Sequence, residues 1–297
     1  MMFRSGFISV VGRPNTGKST LVNNITGQKV SIVSPKPQTT RNTVRGILTE
    51  EGHQMVFMDT PGIHRPKNKL GEYMVNSAVS SLSGVELVLL VTEPGYGGVI
   101  GEDDREIIHR LKDRHERTIC VVNKCDMYEE KHIIRSIKTL SGLAPFHSIL
   151  PISAFTGKNM DILKGLILEL LPEGPMYFDQ NQYTDQPEKN LAGEFIREKM
   201  LLFLREEIPH GTGVEVLSFQ ERETTGIIDI QANIYCEKKS HKGIIIGEKG
   251  EMLKKIGTHA RRDIENLLDA KVYLTLWVKV REGWRNNKRD MRMMGYD

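Results

Sequence analysis

The sequence predicts an α/β domain, a mostly parallel sheet flanked by helices, over residues 1–172, and an α+β domain over residues 190–297. Three observations carry this. The apolar run Phe7-Ile8-Ser9-Val10-Val11 leads directly into a glycine-bounded loop and a helix. Further short apolar runs alternate with helical stretches through the first half, the pattern of strands joined by crossover helices. The second half reads helix, strand, strand, helix, helix, strand, with another glycine-bounded turn between its two later helices.

The first loop is Gly12-Arg13-Pro14-Asn15-Thr16-Gly17-Lys18-Ser19, followed by Thr20 in the opening turn of a helix. Its pattern, G-x-x-x-x-G-K-[ST], is the P-loop. The glycines let backbone N–H groups curl toward one anion. The helix N-terminus adds unsatisfied donors and the positive end of a dipole. Lys18 brings a mobile positive charge to the outer phosphates, and Ser19 a hydroxyl for Mg²⁺.

Residues 27–41 are polar, carry Pro35 and Pro37, and read as a mobile loop. Strands are expected over 43–48 and 54–58, turning at Glu51-Gly52. The second ends in Asp59-Thr60-Pro61-Gly62, where a carboxylate can hold a metal ion and a glycine lets backbone meet a terminal phosphate. The run 85–91 reads as a central parallel strand and 103–111 as a helix. A buried strand over 118–122 ends in Asn123-Lys124-Cys125-Asp126, at the carboxyl edge where open α/β sheets bind ligands. An aspartate there accepts hydrogen bonds from the N1–H and 2-amino groups of guanine. Adenine offers neither, so Asp126 predicts guanine selectivity. The strand 149–152 ends in Ser153-Ala154, a small-residue turn that lets a backbone N–H approach a base, and a helix over 164–170, beginning near Asn159 or Asp161, closes the domain.

Residues 173–189 hold two prolines and no apolar period, and read as a linker whose Met176-Tyr177-Phe178 dock on a domain. The stripe Leu191, Phe195, Met200/Leu201 and Leu204 marks a helix over 190–207, stopped by Pro209. Strands 214–220 and 226–235 form a hairpin, and 272–280 is the last strand. Between them lies Lys242-Gly243-Ile244-Ile245-Ile246-Gly247-Glu248-Lys249-Gly250, of the form I-G-x-x-G. Gly247 and Gly250 allow backbone to press against a sugar-phosphate strand. Ile246 and its two isoleucine neighbours would floor the site, and Glu248 sits within the turn. Lys242, Lys249, Lys254 and Lys255 supply charge. Residues 238–262 carry a local excess of six positive charges, against +3 for the whole chain. The basic tail around Trp284 has two readings, stacking on RNA or packing on the domain's own core.

The overall charge is too small to imply nucleic acid by itself, and 27% charged residues fit a globular protein. Cys120, Cys125 and Cys236 make neither a disulfide framework nor a zinc pattern, and fit a reducing cytoplasm. No run is long enough to span a membrane, and the start enters its first strand too soon for a signal peptide.

The elements Gly12–Ser19, Thr39/Thr40, Asp59–Gly62, Asn123–Asp126 and Ser153–Ala154 resemble, in order, the translational GTPase-like P-loop proteins. The resemblance implies GTP and GDP as ligands and Mg²⁺ held by Ser19, Asp59 and one threonine of the pair. Thr40 is favoured because relatives with T-T-R use the second. It also implies catalytic roles for Lys18, Asn15 and Thr40. Ile63 stands where Ras-like enzymes carry a water-orienting glutamine, so intrinsic hydrolysis should be slow. In relatives with G-x-P-N-x-G-K-S the asparagine matching Asn15 helps hold K⁺. The second half resembles the type II KH RNA-binding domain. Together with P-K-P-Q-T-T-R and D-T-P-G-I-H, the chain is similar to the Era-like family of bacterial ribosome-assembly GTPases. That resemblance implies binding to the 3′ region of 16S rRNA and to the 30S subunit, a monomer, and a cytoplasmic location with peripheral contact at the inner face of the membrane. An RNA-binding factor with incidental hydrolysis is the competing reading. A metabolic kinase fits poorly, because no acceptor-substrate pocket is evident.

Overall fold

A computed structural model describes residues 2–296. Its contacts separate two units. The first holds the chain through Val33, Thr40–Arg65 and Met74–Asp185, and the second holds Ser34–Thr39, Pro66–Tyr73 and the chain from Gln186 on.

The first unit runs β1 (Arg4–Val11), α1 (Lys18–Thr26), β2 (Val44–Glu50), β3 (His53–Asp59), α2 (Lys69–Ser80, entering from the second unit), β4 (Leu87–Thr92), α3 (Glu102–Arg110), β5 (Thr118–Val122), α4 (Glu130–Ser141), β6 (Ser148–Pro151) and α5 (Met160–Leu170). The sheet order is β2-β3-β1-β4-β5-β6. Only β2 is antiparallel to its neighbour, as its tight turn at Glu51-Gly52 requires. Along β4, Leu87, Leu89 and Val91 face one core with Ile8, Val10 and Leu163, whereas Val88 and Leu90 face another with Val11, Ile107 and Leu140. Apolar residues on both faces explain why the strand reads as an unbroken hydrophobic run. The parallel register brings the carboxyl ends of β1, β3, β4 and β5 to one edge: Val10 pairs with Asp59, Val11 with Leu90 and Thr92 with Val122.

Strand β4 begins at Leu87 rather than at residue 85, after a turn left-handed at Gly84. Helices α2 and α4 are additions to the sequence reading. In α4, Ile133, Ile137 and Leu140 face the core. The stretch 173–185 packs on this unit. The N–H groups of Tyr177 and Phe178 donate to Gln54 Oε1 at 2.8 and 3.1 Å, and the Phe7 and Tyr177 rings lie 5.0 Å apart.

The second unit contains α6 (Glu188–Phe203), β7 (Gly213–Glu221), β8 (Ile228–Cys236), α7 (Lys239–Ile246), α8 (Glu251–Leu268), β9 (Val272–Val280) and α9 (Lys288–Met293). Strand β8 is central, antiparallel to β7 and parallel to β9. Its Ala232, Ile234 and Cys236 pack with Ile196, Ile245, Ile256 and Ala260. Trp284 is fully buried, donates its ring N–H to Gly211 O at 3.0 Å and stacks on Tyr296. Of its two readings, core packing is the one realised. The tail arginines are also engaged, Arg281 with Asp290 and Arg285 with Glu237. Within this unit the fully buried Arg197 donates to the Thr39 carbonyl. Among the described residues no helix is long and apolar enough to cross a membrane.

Candidate nucleotide site and RNA groove

The P-loop follows β1 at the carboxyl edge of the sheet, and three segments close around it. Gly62 presses on it so closely that a Cβ there would lie 2.5 Å from Pro14 N, so only glycine fits. The Thr60 hydroxyl donates to Val10 O at 2.7 Å and fixes the segment containing Pro61 to β1. The Thr16 hydroxyl donates to Arg13 O at 3.1 Å. Lys18 is buried, with Nζ donating to Gly12 O at 3.2 Å and Arg13 O at 2.8 Å. Burial pulls its pKa down to about 8, with the Asp59 charge opposing. The ammonium is thus bent over its own loop, inside the curl that phosphates would fill. Thr20 follows in the first turn of α1.

Asp59 is fully buried, and neither carboxylate oxygen has a hydrogen-bond partner. Burial raises its pKa; the hydroxyls of Ser19, Ser31 and Thr40 and the Lys18 ammonium oppose the rise. The Ser19 and Thr40 hydroxyls lie 2.9 Å apart. An unpartnered buried carboxylate beside two hydroxyls fits a hard divalent cation such as Mg²⁺, which takes oxygen ligands. Thr39 is turned elsewhere, its hydroxyl against Ser34 Oγ and Lys36 O, each at 2.7 Å. Of the threonine pair, Thr40 is the one whose hydroxyl meets Ser19.

Asn123 ties three motifs together. Its Nδ2 donates to Thr16 O at 2.8 Å, and its Oδ1 accepts from Ala154 N at 2.9 Å. The Ala154 N–H, expected to face a base, is committed to Asn123. The Ser153 hydroxyl oxygen accepts from Thr156 N at 3.1 Å and shapes the same turn. Asp126 is exposed and available to a ligand. Lys124 donates to Asn15 O at 2.7 Å. Asn15 is exposed with a left-handed backbone, φ 65°. Ile63 points into the core beside Val11 and Leu90, and His64 Nδ1 lies 2.8 Å from Gly62 O.

In the second unit a groove of about 370 Å³ runs between α8 and β9, lined by Gly250, Leu253, Lys254, Gly257, Thr258, Arg261, Leu274 and Leu276. It has an apolar floor, two glycines that leave room for a backbone, and two cations. It is one stripe of α8, with residues 250, 253/254, 257/258 and 261 recurring at the helical period. Lys249 is exposed in the adjoining turn. Part of the expected set lies along this groove and part beside it. Lys255 is turned away from this stripe, with Nζ 4.5 Å from the Phe203 ring centroid. Ile245 is buried in the core, and Ile246 packs against it rather than flooring the groove. Of the expected set, Gly250 and Lys254 line the groove, and Lys242, Ile246, Gly247, Glu248, Lys249 and Lys255 do not. Leu253, Gly257, Thr258, Arg261, Leu274 and Leu276 line the groove and were absent from the expected set; the period of α8 could have found Arg261.

A P-loop at the carboxyl edge of a mostly parallel sheet, with Asp59–Gly62 and Asn123–Asp126 at neighbouring strand ends, is the arrangement of a P-loop GTPase, and a glycine turn between two helices of a small α+β unit is that of a KH module. Residues 7–124 match the family model of the 50S ribosome-binding GTPases, and 207–285 that of the KH domain. The chain is 52% identical over 296 residues to the GTPase Era of Ruminiclostridium cellulolyticum, covering all of this chain and 98% of that one. It is 52% identical to the GTPase Era of Caldanaerobacter subterraneus, covering all of this chain and 99% of that one. Two crystal structures superpose with TM-score 0.94, at 38% identity and 99% coverage of both chains. One is Era in complex with MgGDPNP and nucleotides 1506–1542 of 16S ribosomal RNA, and the other a point variant of Aquifex aeolicus Era bound to GDP·AlF₄⁻. The chain belongs to the Era family of GTPases.

Proposed function

We propose that this protein is a GTP-driven switch that binds the 3′ region of 16S rRNA through the α8–β9 groove and acts in assembly of the 30S subunit. The observation that carries this reading is the pairing, in one chain, of the Ser19–Thr40–Asp59 cluster with a cationic, glycine-floored groove. Lys18 and the P-loop N–H groups hold the β- and γ-phosphates. Ser19, Thr40 and Asp59 hold Mg²⁺, which supplies charge neutralisation at the transferring phosphoryl group. Asp126 selects guanine. The chain's path supports a switch: Thr40 belongs to the nucleotide unit, while Thr39 is held in the other unit by Arg197. The protein acts as a monomer in the cytoplasm, and any membrane contact is peripheral. Crosslinking a fragment of 16S rRNA spanning nucleotides 1506–1542 is expected to label residues 249–261; labelling confined to other segments contradicts the groove assignment.

Three further outcomes follow from the site. Asp126→Ala is expected to lower the preference for GTP over ATP by roughly a hundredfold, because the lost hydrogen bonds are charge-assisted; competition binding measures this. Ile63 is buried and cannot orient water, so unassisted turnover takes on the order of minutes or longer. The exposure of Asn15 beside the cradle supports a part in holding K⁺, in the role of an arginine finger. Hydrolysis is expected to run several-fold faster in K⁺ than in Na⁺, the difference vanishing in Asn15→Ala; equal initial rates in both salts contradict the role.

A further inference from the structure

The limb of the P-loop from Arg13 to Asn15 is held by groups outside the motif. Asn15 has a left-handed backbone, which costs a non-glycine residue on the order of 1 kcal/mol or more unless its surroundings impose it. Two basic side chains, Arg13 on this limb and Lys124 reaching it, are each paired with an acid. Lys124 Nζ donates to Asn15 O at 2.7 Å and lies 2.8 Å from Glu93 Oε1, just beyond β4. Arg13 Nε lies 2.8 Å from Asp104 Oδ2 in the first turn of α3. The Thr92 hydroxyl donates to that same oxygen at 3.1 Å.

Asp104 is an expensive residue for a fold to keep. It is 2% exposed, and Oδ1 is buried without a hydrogen-bond partner. Burial pushes its pKa up, and the Arg13 guanidinium and Thr92 hydroxyl oppose the rise. A well-packed apolar side chain would usually serve stability as well or better than such a half-satisfied ion pair. What the carboxylate adds is a charge set behind the phosphate loop, in ion-pair contact with one of its side chains.

We propose that Asp104 and Glu93 are positioning residues for nucleotide binding, two struts that hold Arg13 and Lys124 so that the P-loop limb is already curled for phosphate before the nucleotide arrives. Neither acid touches the nucleotide. The cradle's N–H groups then need no reorganisation on binding, which is the source of affinity in a preorganised site. The inference rests on the assignment of Gly12–Ser19 as the phosphate cradle.

The test is GDP binding to the full chain, by stopped-flow with a ribose-labelled fluorescent GDP, alongside thermal melts of the nucleotide-free protein. Asp104→Asn keeps the shape and removes the charge; Glu93→Gln does the same at a partly exposed position where folding is not at stake. Each is expected to weaken GDP binding roughly tenfold while preserving the preference for GDP over ADP, since Asp126 is untouched. Asp104→Asn added to Arg13→Ala is expected to cost nothing beyond Arg13→Ala alone, because the acid acts through the arginine. Lys18→Ala serves as the reference. If it loses GDP while both acid variants bind within threefold of the parent, the struts are overturned and the cradle stands. If Lys18→Ala also retains GDP, the cradle assignment itself fails. Additive losses in the double variant, or a lowered melting temperature with unchanged affinity, place Asp104 in the fold alone and overturn the proposal.

Discussion

Asp59→Asn is expected to abolish magnesium-dependent GTP hydrolysis, by roughly a hundredfold or more, and at the same time to make the nucleotide-free protein more stable. The opposite signs have one cause. Asp59 is a fully buried carboxylate with both oxygens unpartnered. In the empty protein it bears a desolvation cost that the Ser19 hydroxyl, the Lys18 charge and the Ser31 and Thr40 hydroxyls offset only in part. Asparagine keeps the volume and sheds the charge, which should be worth about 1–2 kcal/mol, or a rise of roughly 3 °C in Tm. With Mg²⁺ and GTP present the ordering reverses, because the metal loses an anionic ligand-shell partner. Thermal melts of both proteins, with and without Mg²⁺·GTP, read both signs. A variant that is less stable when empty would mean that Asp59 is satisfied within the fold and is not kept for a cation.

Gly250→Asp is expected to lower affinity for the 16S 3′ fragment by roughly a hundredfold and to leave GTP hydrolysis unchanged. The two glycines of the turn differ. A Cβ on Gly247 would lie 2.7 Å from Met252 Cβ and 2.9 Å from Met252 N, so any substitution there disturbs the turn itself. A Cβ on Gly250 meets nothing within 4 Å. Its backbone is left-handed, φ 83°, a conformation that aspartate tolerates better than most residues. The variant therefore keeps the fold and directs a carboxylate toward the groove where phosphates would run, beside Lys254 and Arg261. Filter binding at fixed salt, with a melt of the variant as control, measures the effect. Parent-like affinity would move the RNA off this groove.

The sequence was most readable where function imposes residue types at fixed spacing. The P-loop, Asp59–Gly62 and Asn123–Asp126 each sit at a strand end, and a parallel register carries all three to one edge of the sheet. Strand β5 matches its expected bounds, since an all-apolar run between polar flanks leaves no choice of register. Legibility fell where an element depends on its neighbours. Helix α4 has no side-chain cap, and its apolar stripe is marked off only by the core it covers. Trp284 has the same chemistry for stacking on a base as for filling a core, and only its burial against Gly211 decides between them. Lys254 and Lys255 are adjacent in sequence and equal in charge, yet α8 turns one into the groove and the other onto Phe203. Glu93 and Asp104 carried no motif at all. Their partners, Lys124 and Arg13, lie 31 and 91 positions away along the chain, and only the folded sheet brings them together.

The most direct test of a nucleotide-gated RNA binder is one titration. The fragment spanning nucleotides 1506–1542 of 16S rRNA is titrated with the purified full chain, once with Mg²⁺·GDPNP and once with Mg²⁺·GDP, at the same salt. Gating through Thr40 and the metal requires the GDPNP form to bind at least roughly tenfold tighter. Superimposable curves would mean that the phosphate cradle and the RNA groove work independently.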